Sequence, residues 1–437
     1  MRWAGELVRV GASGGDSSIN YREALAWLYG LQRFGIKLGL ENIERLLDEL
    51  GLRSARASRA VFGTSPKTFG KVIHVAGTNG KGSVCAMIES ICRAQGYRTG
   101  LFTSPHLVTF RERIRENGDM ISEDAVANGL TTIRNLIANW DPHPTFFEVV
   151  TALALKHFSD KKVEIVILET GLGGRLDATN AVRSDVSVIT PIDFDHEKWL
   201  GKTISEIAAE KAGIIKRQVS VVCAPQRSEV EQVIRARAAE CRAPLQFVTE
   251  LYDETPIALA GLHQKENAAL AIAALRAAGI DIDSSAIAQG LASLEWPARF
   301  QRWDERITID GAHNPAAAHV LAETWRKIFD DQRATLVLAI LADKNLRAIC
   351  GALSPISKFV VLPKIRSERA VNPEDLACTL AGITPSLPYS ITRSVDEALA
   401  FARVKPNPIL ITGSLHFAGE VLAHLRGQPA AFEECAQ

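Results

Sequence analysis

The chain has 437 residues, 47% of them hydrophobic and 23% charged; that exceeds the roughly 250–300 residues at which one hydrophobic core stops growing, so two domains are expected. Its 50 Lys and Arg balance 50 Asp and Glu, which leaves no global field to hold nucleic acid or an anionic membrane, and any bound anion must sit in a local site. The 7 cysteines (Cys85, Cys92, Cys223, Cys241, Cys350, Cys378 and Cys435) are odd in number and form no C-x-x-C pair, so they read as reduced thiols of a cytoplasmic protein, and no apolar run reaches the roughly 18–20 residues of a membrane span.

In chain order, residues 1–18 are Gly-rich and lack an apolar core, so they are expected to be a disordered leader rather than a signal peptide. Short β-rich apolar runs predict strands at 72–76, 163–168, 186–190 and 219–223, then at 307–310, 335–340, 359–362 and 409–412. Amphipathic patterns predict helices at 82–94, 147–158, 204–215 and 264–278. Such alternation indicates parallel α/β sheets. Trp296-Pro297 closes a helical region and a strand begins at Ile307, which places a boundary near residues 295–302. The expected division is a large domain over 19–298 and a smaller one over 299–437.

The first predicted strand runs straight into Gly77-Thr78-Asn79-Gly80-Lys81-Gly82-Ser83 and then a helix. A strand, a Gly-rich turn bearing Lys and a helix N-terminus make a phosphate cradle: backbone N–H groups and the helix dipole face the anion, and Lys81 adds a point charge. The pattern departs from G-x-x-x-x-G-K-[ST], because Val75 stands six residues before Lys81 and Gly82 intervenes before Ser83. The bland alternative is a Gly-rich connection in a parallel sheet, but this composition concentrates anion-binding groups that have no packing value.

That loop, followed by Thr103-Ser104-Pro105-His106-Leu107, resembles folylpolyglutamate synthase and dihydrofolate synthase, ATP-dependent ligases of the Mur superfamily. The likeness continues through Phe146-Phe147-Glu148, Glu169-Thr-Gly-Leu-Gly-Gly-Arg175-Leu-Asp-Ala-Thr-Asn180, Asp195-His196, Glu210-Lys211-Ala-Gly, Arg299-Phe-Gln, Asp310-Gly-Ala-His-Asn-Pro315 and Gly413-Ser414-Leu415. Several long motifs in one order are more specific than any one of them. The resemblance implies an α/β protein: a large P-loop-type ATP-binding domain with a mostly parallel sheet, plus a smaller Rossmann-like C-terminal α/β domain of glutamate-ligase type.

It also implies roles. Gly77, Thr78, Asn79, Gly80, Lys81, Gly82 and Ser83 would bind ATP, joined by Asn267, Arg299 and Asp310. Ser104, Glu169 and His196 would bind Mg²⁺, a hard ion that prefers oxygen ligands. Ser104 before Pro could otherwise start a turn and His196 could be a loop residue, but an unpaired carboxylate at the end of an apolar strand, as at Glu169, is costly. Leu176, Asp177 and Ala178 would line a pterin-bearing substrate pocket, with Phe146 or Phe147 stacking on the ring, although both could equally be core. Lys211 matches a carbamylated lysine, fifteen residues after the metal-site His, whose carbamate could help hold a second Mg²⁺. His313 and Asn314 would place L-glutamate. The catalytic set is then Lys81, His196, Lys211 and His313.

The activity so implied is ATP-dependent addition of L-glutamate to dihydropteroate, to reduced folates, or to both, through an acyl phosphate, by a cytoplasmic monomer using ATP and two Mg²⁺ ions, with a monovalent cation as a further option. The expected partners are small molecules, with no nucleic acid and no membrane. Two alternatives stand beside it: a Mur-type ligase acting on a cell-wall precursor, and a non-catalytic P-loop protein. The 38–45 segment, Leu-Gly-Leu-Glu-Asn-Ile-Glu-Arg, and Thr-Ser-Pro-His favour the folate branch. The Ser104, Glu169 and His196 set argues against a pure nucleotide sensor.

Overall fold

The computed structural model describes residues 19–35, 37, 39–52 and 69–433. The expected leader, Leu38 of the 38–45 segment and Cys435 lie outside the described residues. No helix among the described residues is long and apolar enough to cross a membrane.

The first sheet has eight strands: β1 (Lys71–Ala76), β2 (Thr99–Phe102), β3 (Ile114–Glu116), β4 (Asp119–Met120), β5 (Ile165–Glu169), β6 (Val186–Ile189), β7 (Ser220–Cys223) and β8 (Leu245–Phe247), in the order β4-β3-β2-β5-β1-β6-β7-β8. Pairing is parallel except along β2-β3-β4. Strand alternation splits the sheet between two cores. Val166 and Leu168 of β5 face a core with Phe102 and Phe158, whereas Ile165 and Ile167 face one with Ile73, Met87 and Ile88. Burial on both faces is why these strands read as unbroken apolar runs.

The second sheet has six strands: β9 (Gln301–Arg302), β10 (Ile307–Ile309), β11 (Ala334–Leu338), β12 (Ser357–Pro363), β13 (Tyr389–Thr392) and β14 (Ile409–Thr412), in the order β13-β12-β11-β14-β10-β9. Only its edge pair β9-β10 is antiparallel. The expected class therefore holds: a large, mostly parallel sheet and a smaller α/β sheet. All eight predicted strands exist, with ends displaced by at most two residues. The helix predicted over 204–215 stops at Ala212, with Gly213 as its C-cap; Gly213 lies so close to Arg175 that a Cβ there would sit 2.3 Å from the Arg175 Cβ.

The topology places the site. β1 lies between β5 and β6, with Val75 opposite Glu169 and Ala76 opposite Ile189. From β1 the chain crosses through the helix Lys81–Ala94 to β2, beyond β5. The carboxyl ends of β1, β5 and β6 thus open together at a topological switch point, where open α/β sheets bind ligands.

Candidate active site

The segment leaving β1 turns at Gly80, whose φ of 87° starts the helix Lys81–Ala94. A side chain there would be strained, and its Cβ would stand 2.7 Å from Asn267 Oδ1. The helix start has no side-chain cap, so its first backbone N–H groups are left to an external acceptor. The N–H groups of Thr78 and Asn79 are already spent on Pro191 O, at 2.9 and 3.2 Å, and Thr78 Oγ1 donates to Asp193 O at 2.9 Å. Within the motif, Gly77 and Thr78 therefore shape the turn. Ser83 is buried.

Two lysines meet at Gly77 O. Lys81 Nζ donates to it and to Thr78 O, both at 3.2 Å. Lys211 Nζ donates to it at 2.8 Å. Lys81 is half-buried and folded back over these carbonyls, since a lone ammonium takes the nearest oxygens. Lys211 is 4% exposed. Burial and the Lys81 charge lower its ammonium to about 7, against the opposing pull of Asp195 and Asp177.

At the end of β5, the buried Glu169 accepts the Ser104 N–H on Oε2 at 3.1 Å. Burial pushes its carboxyl above the ordinary range, while the charges of Lys81, Arg299 and Arg113 and the Ser104 N–H pull the other way. Ser104 Oγ is buried with no hydrogen-bond partner. A buried carboxylate beside an orphan hydroxyl is the donor chemistry of a hard cation, so these residues fit Mg²⁺. No three His, Cys, Asp or Glu side chains converge as a metal cluster among the described residues. His196, in the left-handed region at φ 53°, is 40% exposed with Nε2 4.0 Å from Asp195 Oδ1.

Asp195 is the junction of the two sheets. Its carboxylate meets Lys344 Nζ at 2.6 Å, Asn314 Nδ2 at 3.3 Å and His313 Nε2 at 3.6 Å, all from the second sheet's side. Burial alone would raise the Asp195 carboxyl, but His313, His196 and Lys344 outweigh it and hold it well below the usual carboxylate range. Lys344 and Asp195 each expose 8% of their side chains. Lys344 was missed in the sequence. It lies in an Ala-Asp-Lys-Asn turn after β11 that carries no periodic signal, and only its distant partner marks it.

Asn314 also faces the phosphate loop: its Nδ2 donates to Asn79 Oδ1 at 2.9 Å. His313 Nδ1 bonds Gly311 O at 2.9 Å, and since a carbonyl can only accept, that nitrogen carries a proton. Asp310 accepts the N–H groups of Phe300 and Ala312, both at 2.8 Å, so its carboxylate fastens the Arg299 turn to the end of β10. Burial raises it, and Arg299 and these N–H groups oppose that rise. Arg299 Nη1 donates to Ala298 O at 3.0 Å. Asn267 Nδ2 donates to Gln264 Oε1 at 2.9 Å, which leaves Asn267 Oδ1 against Gly80.

The substrate-loop residues behave differently. Asp177 is buried, and its carboxylate accepts Gly171 N at 3.0 Å, Leu172 N at 2.8 Å, Thr179 N at 3.0 Å and Thr179 Oγ1 at 2.5 Å. It knots its own loop. Ala178 is buried and Leu176 half-buried. Phe146 belongs to the core, stacked on Tyr29 at 5.8 Å. Phe147 is partly exposed, and its ring covers Gly171, where a Cβ would come within 2.4 Å of it. The Thr145 and Glu148 capping box starts the helix Phe146–Asp160 and so aims this pair.

The Mur ligase middle-domain model matches residues 75–275, and the Mur ligase glutamate-ligase-domain model matches residues 298–415. The dihydrofolate synthase/folylpolyglutamate synthase of Bacillus subtilis is 34% identical over 93% of this chain and 99% of its own length. The Escherichia coli FolC structure in complex with DHPP and ADP has a TM-score of 0.80 at 32% identity, covering 92% of this chain and 98% of that one. A Yersinia pestis bifunctional folylpolyglutamate synthase/dihydrofolate synthase complexed with AMPPNP and Mn has a TM-score of 0.82 at 30% identity, covering 95% and 100%. On this likeness in sequence and structure, the chain belongs to the dihydrofolate synthase/folylpolyglutamate synthase family of Mur ligases.

Proposed function

We propose that this chain is an ATP-dependent ligase that adds L-glutamate to dihydropteroate, to reduced folates, or to both. The observation that carries the reading is the bond between Asn79 of the phosphate loop and Asn314 of the second sheet's motif: the two halves of a nucleotide-and-amine site already face each other. The relatives bind the matching molecules, ADP with DHPP in one structure and AMPPNP with Mn in another.

In this reading, Gly80 to Ser83 and Lys81 hold the ATP phosphates. Asn267, Arg299 and Asp310 frame the rest of the nucleotide. Ser104, Glu169 and His196 would hold Mg²⁺, which neutralises phosphate charge when bound. The acceptor lies over the Gly171 loop, with the Phe147 ring as its apolar wall and Leu176, Asp177 and Ala178 shaping the floor. Its carboxylate oxygen attacks the γ-phosphorus, ADP leaves, and an acyl phosphate forms; such a step needs positioning and charge neutralisation more than covalent help. The glutamate amine, placed by His313 and Asn314, attacks the acyl carbon. Phosphate leaves, the nitrogen loses a proton, and the amide remains. Lys211, as a carbamate, would put an anion beside Lys81. The lid logic of two domains closing on the acyl phosphate protects it from water.

We further place the domain division at 298/299 and read the chain as a cytoplasmic monomer acting on small molecules, in keeping with its balanced charge. The test is product mass from purified protein given ATP, glutamate and each acceptor separately. Glutamylated dihydropteroate or folate supports the reading. ADP release only with cell-wall precursors, or equally without any acceptor, overturns it.

A further inference from the structure

The segment after the helix Leu415–Leu425 returns from the second sheet's side to the first. Pro429 O accepts Arg366 Nη1 at 3.1 Å, and Phe432 is buried beside Val108 with its ring edge-on to His416 at 5.0 Å. Glu433 then binds the loop that carries Ser104. Its N–H donates to Val108 O at 2.8 Å, and its carbonyl takes His106 Nε2 at 3.1 Å. Its carboxylate collects Phe110 N at 2.5 Å, Thr109 Oγ1 at 3.1 Å and Tyr21 OH at 3.2 Å.

The loop transmits that grip. Glu112 accepts the N–H groups of Leu107, Val108 and Thr109, between 2.8 and 3.2 Å, so residues 107–112 form one knot. His106 Nδ1 accepts Arg113 Nε at 2.9 Å. Its Nε2 must therefore be the protonated nitrogen that donates to Glu433 O. The opposite face is fixed too: a Cβ on Gly419 would stand 1.9 Å from Leu107 O, so the helix Leu415–Leu425 lies hard against the loop. Two residues before His106, Ser104 donates its N–H to Glu169, and Arg113, at the loop's other end, is fully buried with its charge felt at Glu169.

We infer that Glu433 is a positioning residue of the ligation: it clamps residues 104–113 so that the Ser104 hydroxyl is presented beside Glu169, and it ties that presentation to the docked second domain. The inference rests on the reading of Ser104 given above.

The test compares full-length wild type, Glu433→Ala, Glu433→Gln and Tyr21→Phe. Amide deuterium exchange without nucleotide reads the clamp itself, and kcat with its Mg²⁺ dependence reads the consequence. In Glu433→Ala, exchange should rise in residues 104–113 and not in the central strands. Its kcat should fall about tenfold, with more Mg²⁺ needed for half-saturation, a loss on the scale of one hydrogen-bonded anchor. Glu433→Gln, which keeps an acceptor oxygen for Phe110 N and Thr109, should recover most of both, and Tyr21→Phe should show a smaller change of the same kind. Unchanged exchange in 104–113, or a loss of kcat that tracks global melting with the Mg²⁺ dependence intact, overturns the inference. Wild type inactive on folate acceptors but with the same exchange pattern would instead indict the functional reading.

Discussion

Asn79 and Asn314 stand 235 residues apart and exchange side-chain amides: Asn314 Nδ2 donates to Asn79 Oδ1 at 2.9 Å, and Asn79 Nδ2 donates to Asn314 Oδ1 at 3.4 Å. The same Asn314 Oδ1 accepts Ala317 N at 2.9 Å, capping the helix Pro315–Phe329. One amide thus starts a helix of the second domain and docks that domain on the phosphate loop. The two duties can be separated. Asn314→Ser keeps a good cap but cannot reach Asn79 or Asp195. Its melting temperature should stay near wild type, since Ser and Asn cap about equally well, whereas Asn314→Ala should lose about 1 kcal/mol of stability. We expect kcat of Asn314→Ser to fall about tenfold, as for 1.4 kcal/mol of lost positioning. Wild-type kcat in that variant would mean the amide exchange is a by-product of capping.

Lys81 rests on two carbonyls of its own loop, a parking place it can leave for a phosphate without unfolding anything. Lys81→Ala should therefore fold with a near-normal melting temperature and lose about 100-fold or more in kcat, the scale of removing one donor aimed at developing charge. Near-normal turnover in the folded variant would sink the phosphate-loop assignment.

The sheets and the phosphate loop were legible in the sequence because their signals are local. Buried parallel strands are continuous apolar runs, and residues 77–83 gather Gly, Lys and Ser with no packing purpose. The parts that escaped are relations across distance. β2 carries Gly100 in the middle of four residues, which breaks its apolar run. Lys344 gains meaning only from Asp195, 149 residues earlier. Asp177, which the family likeness assigned to the substrate, spends its carboxylate on four donors of its own loop, something no spacing could reveal.

Carbamylation of Lys211 has a pH signature with a definite sign. CO₂ adds to the neutral amine: a C–N bond forms, one N–H proton leaves, and the cation becomes an anion. With the ammonium lowered to about 7 by burial and by Lys81, most of the side chain is protonated at pH 6 and most is free amine at pH 8. An ordinary surface lysine would be protonated at both. At fixed dissolved CO₂, carbamate should therefore rise from pH 6 to pH 8. The remaining N–H of the carbamate can still serve Gly77 O. Degassed buffer should lower activity and bicarbonate should restore it, while Lys211→Ala should be insensitive to both. Carbon NMR with labelled CO₂ reads the adduct directly. An absent carbamate signal at pH 8 in active enzyme would remove the modification from the mechanism.

His313 separates a catalytic second domain from a merely structural one. Two roles compete for it. As a turn residue it would close the Gly311 carbonyl with its protonated Nδ1, and its loss would cost about 0.5–1 kcal/mol, the net value of one hydrogen bond. As a glutamate-placing residue it would use the ring's other side, where Nε2 is 3.6 Å from Asp195, in a side chain that is 28% exposed. His313→Ala removes both interactions, so stability alone cannot decide. The deciding measurement is steady-state kinetics with glutamate and ATP varied separately, in protein whose melting temperature has been recorded. Placement of the amine predicts a higher KM for glutamate, a lower kcat, or both, with the KM for ATP nearly untouched, since the proposed phosphate contacts lie with Gly80 to Ser83. His313→Asn can restore a donor to Gly311 O but not the reach toward the junction, so it should keep the stability and share the kinetic defect. If His313→Asn and His313→Ala both turn over glutamate like wild type, the motif at 310–315 is scaffold, and the chemistry is confined to the first domain.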